Sequence, residues 1–241
     1  MSPLLVLLLA SAGPLLVGFD IIGEHDDDDE EETPTPEPGE IVDVAAFIED
    51  ARGVAGDVGP VNSGRGTDAV DDFEGETDQS NAFDASGNDD TLTGGMLDDT
   101  LIGGEDSDRI AGGAGDDALF GGFQRATRPD DMDADTLSGG EGDDTLFMGN
   151  DDIATGGEGA DVFVAVQDAT GNVTVTDFDV DEDALAVETP TPDDLSVSGQ
   201  AVTDAGLVIT LSDGSTITLE GLVAEIDPAI VQFQQVQPLI T

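Results

Sequence analysis

A large apolar residue recurs every nine positions through the middle of the chain. The series runs Phe83, Leu92, Leu101, Ile110 and Leu119, breaks at Arg128, and resumes at Leu137 and Leu146. Two residues before each stands an acid or its amide: Asn81, Asp90, Asp99, Asp108, Asp117, then Ala126 at the break, then Asp135 and Asp144. Glycine pairs open the units at Gly94/Gly95, Gly103/Gly104, Gly112/Gly113, Gly121/Gly122 and Gly139/Gly140. The tripeptide around each large residue alternates, so as a short strand it turns its central side chain inward and its neighbours outward. One inward residue in nine makes a thin core, which each unit shares with its neighbours by stacking. A fixed period of this kind predicts a repeat architecture.

Two further runs share the frame. Gly112-Gly113-Ala114-Gly115-Asp116-Asp117-Ala118-Leu119-Phe120 returns as Gly139-Gly140-Glu141-Gly142-Asp143-Asp144-Thr145-Leu146-Phe147, and again as Gly156-Gly157-Glu158-Gly159-Ala160-Asp161-Val162-Phe163-Val164. Upstream, Gly64 to Val70 is an outlying copy that is out of phase. Beyond Asp161 glycine thins out and β-rich alternation predicts strands at Val162–Val166, Val173–Phe178, Ala184–Val187, Leu207–Leu211 and Thr216–Leu219. Asp213-Gly214 between the last two is a hairpin signal.

The amino-terminal part is different in kind. Residues 1–23 are led by an apolar run from Pro3 to Phe19, suited to a secretion signal or a membrane anchor, although no Lys or Arg precedes it. Residues 24–40 form an acidic, proline-rich linker with no apolar surface to bury. Residues 41–75 are an irregular segment holding the outlying repeat; its start, Ile41 to Ile48, is predicted as a short helix or strand pair.

Composition changes the picture in one direction. The chain carries 56 acidic residues against five basic ones, a formal charge of −51, with no Cys, Trp or Tyr and a single His. Such a chain repels phosphates, which excludes nucleic acid as a partner, and it attracts cations. It also repels itself unless counter-ions are held in place. Halophilic adaptation accounts for acidity, but it does not set aspartates at a fixed period.

These nonapeptides resemble the glycine–aspartate repeats of the RTX, or hemolysin-type, calcium-binding family, over residues 76–164. The resemblance implies an all-β fold: a parallel β-roll in which two units make one coil and Ca2+ lies between successive turns on each side. It also implies that residues 165–241, with Ala160-Asp161-Val162-Phe163-Val164 and Val175-Thr176-Asp177-Phe178-Asp179, are a β-rich cap closing the roll. The chemistry agrees. Calcium takes six to eight oxygens, roughly 2.3–2.6 Å away, from carboxylates and carbonyls. Glycine lets a turn aim its carbonyls at an ion. The expected metal ligands and cradle residues are Asn81, Asp90, Asp99, Asp108, Asp117, Asp135, Asp144, Asp151 and Asp161, with Gly94, Gly103, Gly112, Gly115, Gly139 and Gly142.

Two units per coil predicts that ions bridge aspartates eighteen residues apart. One side then carries Asn81, Asp99, Asp117 and Asp135, and the other Asp90, Asp108, Ala126 and Asp144. Ala126, with Arg125 and Arg128, breaks the second side, so Gly121 to Asp131 is read as a bulged or looped-out pair of degenerate units. Leu97, Asp106 and Asp133 replace the fourth-position glycine, and Met148 to Thr155 slips the phase by one residue.

No H-E-x-x-H, no G-x-S-x-G and no Cys/His or Ser/His pairing is present, so no enzyme activity is expected. The expected protein is exported and calcium-binding, folds on binding calcium, and is led or anchored by residues 3–19 or carried by type I secretion machinery. The alternatives are an acidic structural or adhesive surface protein adapted to high salt, or a non-catalytic accessory module of a secreted enzyme.

Overall fold

The computed structural model describes residues 62–67, 69–122, 132–166 and 172–235. Among the described residues seventeen strands form two sheets. The first sheet holds β1 (Asn62–Arg65), β3 (Asn81–Gly87), β5 (Thr100–Glu105), β7 (Ala118–Phe120), β9 (Thr145–Met148), β11 (Val162–Val166), β13 (Ala184–Thr189) and β17 (Val231–Gln235), paired in that order. The second runs from β2 (Asp72–Glu74) through β4 (Thr91–Gly95), β6 (Arg109–Ala114), β8 (Thr136–Glu141), β10 (Ile153–Glu158) and β12 (Asn172–Val175). It ends on β16 (Thr216–Glu220), β15 (Gly206–Leu211) and β14 (Val197–Val202).

Every neighbouring pair is parallel except β14/β15 and β15/β16. Strict odd–even alternation from β1 to β13 means that each coil contributes one strand to each sheet, the architecture of a parallel β-roll. The inward residues of both sheets meet in one core: Leu92, Leu101, Leu119, Leu137, Leu146 and Phe163 are completely buried. They stack in register, with Phe83 against Leu101, Leu101 against Leu119, and Leu92 against Ile110.

Register shows where the repeat departs from its period. Ile110 pairs with Leu137 and Leu119 with Leu146, each across twenty-seven residues, one nonapeptide more than the regular coil. This answers the break at Arg128. Strands β6 and β7 pair directly with β8 and β9, and Ala126, Arg125 and Arg128 lie outside the described residues. Farther on, Leu137 pairs with Ala154 and Leu146 with Phe163, the one-residue slip expected at Met148 to Thr155.

The roll also starts earlier than the strict period indicates. Gly64 pairs with Phe83 and Phe73 with Leu92, nineteen residues apart, so β1 and β2 add a coil whose turn is one residue longer. After β11 the sheets continue through β12, β13, β16 and β17. The Asp213-Gly214 hairpin joins β15 to β16, with Gly214 at φ 100°. Strands β14 and β17 were not expected. Val197–Val202 has two large apolar residues in six and no alternation, and Val231–Gln235 alternates only at Val231 and Phe233, too short a run to stand out.

Among the described residues no helix is long and apolar enough to cross a membrane. The apolar run 3–19 and the linker 24–40 lie outside the described residues.

Candidate metal centre

Each repeat brings its aspartate to the turn that enters a strand, buried beneath the next coil. On the side leading into the first sheet, backbone and carboxylate join in a ladder. Asp99 Oδ1 accepts the Asn81 N–H at 2.5 Å, and Asp117 Oδ1 accepts that of Asp99 at 2.7 Å. Asp144 accepts from Asp117, Asp161 from Asp144, and Asp183 from Asp161 at 2.8–3.0 Å. On the side leading into the second sheet, Asp90 accepts from Asp71, Asp108 from Asp90, Asp135 from Asp108 and Asp152 from Asp135.

Ladder membership corrects the eighteen-residue assignment. Asp117 is followed by Asp144 and Asp108 by Asp135, each across twenty-seven residues. The twenty-seven-residue step passes over Ala126 and exchanges the sides expected for Asp135 and Asp144. Neither ladder is broken.

Asp151 is a second correction. It is exposed, at φ 63°, and its Oδ1 accepts the Asn172 N–H, whereas Asp152 is fully buried and holds the ladder position. The rule of an acid two residues before a large apolar residue selects Asp151 through Ile153. In the fold Ile153 points out, 44% exposed, and small Ala154 points in. Asp71 and Asp183, which precede Phe73 and Leu185 by two, were missed although the same rule finds them.

The other carboxylate oxygen of the ladder residues faces a small cup. A Cβ built on Gly94 would overlap both Asp99 Oδ2 and the Gly112 carbonyl. One on Gly103 would meet Asp108 Oδ2 and the Gly121 carbonyl, and one on Gly139 would meet Asp144 Oδ2 and the Gly156 carbonyl. Over Gly112 stands Asp117 Oδ2, and over Gly121 stand Asp135 Oδ2 and Asp152 Oδ2 together. The first glycine of each pair is therefore the floor of a cup into which acceptor oxygens converge.

The fourth-position glycines have a different task. Gly115 and Gly142 sit at φ 111° and 125°, stacked so that a Cβ on Gly142 would strike the Gly115 carbonyl. Where Asp106 replaces that glycine it takes φ 74°, a region that aspartate enters more readily than most residues.

The Oδ2 atoms of Asp90, Asp99, Asp117 and Asp144 are buried with no hydrogen-bond donor. A buried carboxylate oxygen without a donor is costly. Burial pushes the Asp117 carboxyl up to about 9, Asp144 to about 8, Asp161 to about 7 and Asp183 to about 6, with the neighbouring carboxylates adding to the rise. Backbone hydrogen bonds to each oppose it. What this geometry lacks is positive charge. Convergent oxygens with no protein donor between them are a hard-cation donor set, so the residues present fit calcium. Among the described residues no three acidic or histidine side chains gather at one point. The cups over Gly94, Gly103 and Gly139 thus offer a carboxylate with a carbonyl, that over Gly112 a carboxylate, and that over Gly121 two carboxylates.

A second ladder lies outside the first. Asp98 Oδ1 accepts the Asp116 N–H, Asp116 accepts that of Asp143, and Asp143 that of Ala160, at 2.8–3.0 Å. The inner aspartate of each Asp-Asp pair reaches back one coil and the outer one reaches forward. The doubled acid in Asp98-Asp99, Asp116-Asp117 and Asp143-Asp144 is its sequence signal.

Fold and cups together define a repeat solenoid that holds cations between its coils. Residues 93–125 and 132–163 match the RTX calcium-binding nonapeptide repeat, in four copies. The repeats of this chain are RTX repeats, and they bind Ca2+. No curated protein matches the chain.

Proposed function

We propose that this chain is a non-catalytic calcium-binding module of an exported protein, and that calcium folds it. The observation that carries this reading is the set of buried Oδ2 atoms on Asp90, Asp99, Asp117 and Asp144 that meet no donor. Folding brings them together at a cost, and an ion bound only by the folded chain repays it. The ligands of each cation are the ladder carboxylates, joined by the Gly112 carbonyl over Gly94, the Gly121 carbonyl over Gly103 and the Gly156 carbonyl over Gly139.

Export follows from affinity. Sites with one or two carboxylates apiece fall in the weak, extracellular range, filling at about 0.1–1 mM calcium. Proteins with RTX repeats are typically secreted, and the apolar run 3–19 suits a signal or an anchor.

Circular dichroism of the full chain during a calcium titration tests the reading. Strand signal is expected to rise cooperatively at submillimolar to millimolar calcium and to vanish with chelator. Magnesium should substitute poorly, since it demands a tight octahedron and keeps its water. A chain fully folded in chelator at low salt overturns calcium-driven folding. Equal folding in concentrated sodium chloride would assign the acidity to salt adaptation instead.

A further inference from the structure

The second sheet ends on β14, and its backbone is open on that side. Thr203 and Gly206 exchange both backbone hydrogen bonds across the turn into β15. In an antiparallel pair such residues alternate with ones that face away. Gly199 and Ala201 therefore also face β15, while Gln200 and Val202 turn their N–H and C=O to the open side. A bulge between Val197 and Gly199 affects only the start of the strand.

The core is open at the same edge. Val202 is 47% exposed although its partner in β15, Leu207, is fully buried. The segment that follows β16 passes this strand between two ties. The Gly221 N–H donates to the Ala205 carbonyl, and the Gln200 side-chain amide both donates to the Ile226 carbonyl and accepts the Ile226 N–H. Between those ties Val223 is 86% exposed. Charge marks the strand as well. From Leu195 to Thr203 no residue is charged, in a chain of net charge −51. Edge strands are commonly guarded by charged side chains or proline, and β14 has neither. Acids stand just beyond it: Asp193 and Asp194 before, Asp204 after, and Glu225 near Val223 in the chain, all exposed.

We propose that β14 accepts an added strand from a partner protein. The partner segment is extended and uncharged in its middle, with apolar side chains at alternate positions and Lys or Arg at its ends. Main-chain bonds to Gln200 and Val202 hold it, its apolar side chains cover Val202 and Val223, and its cationic ends meet the flanking acids. A second copy fits poorly, because it brings another charge of −51 and its own Asp193, Asp194 and Asp204 to the same edge. The inference rests on the fold and not on calcium-driven folding.

Fluorescence anisotropy of labelled peptides on the full, calcium-loaded chain tests it. The probe is a capped Lys-Lys-Val-Thr-Val-Thr-Val-Lys-Lys peptide. Its control has proline for the central valine, which keeps the charge and removes a strand donor. The probe is expected to bind at least about tenfold more tightly than the control. Val202→Pro removes an outward N–H from an edge strand, where proline is tolerated. It should erase that preference and leave strand signal and calcium midpoint unchanged. In the unsubstituted chain the probe should slow hydrogen exchange at Gln200 and Val202, a readout that stands even if Val202→Pro fails to fold. No binding of the probe overturns the inference, as does equal binding of probe and control, which is attraction by charge alone. A folded Val202→Pro chain that keeps the preference overturns it too. Slowed exchange at a different edge strand, or a dimer whose Gln200 and Val202 amides are already protected, gives the edge another role and equally overturns it.

Discussion

The two sheets are made from one repeat, yet their outer faces are opposites. Outward positions of the second sheet are Thr91 and Thr93, Arg109 and Ala111, Thr136 and Ser138, Ile153 and Thr155, all exposed or half-exposed. Those of the first sheet from β7 to β11 are Ala118 and Phe120, Thr145 and Phe147, Val162 and Val164, all buried. The inward apolar residue and the ladder acid repeat every nine residues because both sheets need them. The flanking residues differ between successive strands, because only one strand of each coil carries a second apolar face. A solenoid of this kind thus carries two patterns: one common to every unit, which builds it, and one confined to alternate strands, which distinguishes its sides.

Substitution on the two faces should break this symmetry most sharply. Phe147→Asp, at a 4% exposed site stacked on Phe120, should cost about 3–5 kcal/mol, as for other losses of a buried aromatic. Ser138→Asp, the matching outward site on the second sheet, should change stability by no more than about 0.5 kcal/mol. Denaturant unfolding in saturating calcium measures both. Similar costs would mean that the first sheet's outer face is not a packed surface.

The ladders should behave as equals. Asp117 lies between Asp99 and Asp144, and Asp108 between Asp90 and Asp135. Asp117→Ala and Asp108→Ala should therefore lose the same number of ions by calorimetry. Each should raise the calcium midpoint for folding several-fold. A clearly smaller loss for Asp108→Ala would mean that the twenty-seven-residue step does break the second side.

Protons should partly stand in for calcium. The Asp117, Asp144, Asp161 and Asp183 carboxyls are raised from 3.8 to between about 6 and about 9 in the folded chain, so the fold binds more protons than the unfolded chain. Their contribution is fully present below 3.8 and is lost as pH rises through that interval. In chelator, strand signal should be greater at about pH 5 than at about pH 9, if aggregation is kept low by dilution. With calcium the sign reverses, since protons compete for the same oxygens, and the calcium midpoint should climb as pH falls.

The smallest effect concerns a turn. Asp106→Gly relieves a side chain held at φ 74° and should stabilise the calcium-loaded roll by a few tenths to about 1 kcal/mol. Asp133→Gly, whose φ is not in that region, should give no such gain. Thermal melts in saturating calcium distinguish them.

The nine-residue period of Leu92, Leu101, Ile110 and Leu119 with Asp90, Asp99, Asp108 and Asp117 determined, before any coordinates, an all-β solenoid with acidic turns and a hard cation between them. It could do so because each rung makes the same local demands: glycine for the turn, aspartate for the ion, one apolar side chain for the core. Which rungs touch was settled only by the tertiary structure. Asp108 meets Asp135 because β6 pairs directly with β8 across a step of twenty-seven residues, and contact between coils follows strand register rather than a fixed count of residues. Asp152 replaces Asp151 because register put Ala154 inside and Ile153 out, a choice that hydrophobicity alone decides the other way. The buried outer face of the first sheet is likewise tertiary: Phe120, Phe147 and Val164 lie far apart in the chain, and only parallel pairing at full register sets them side by side.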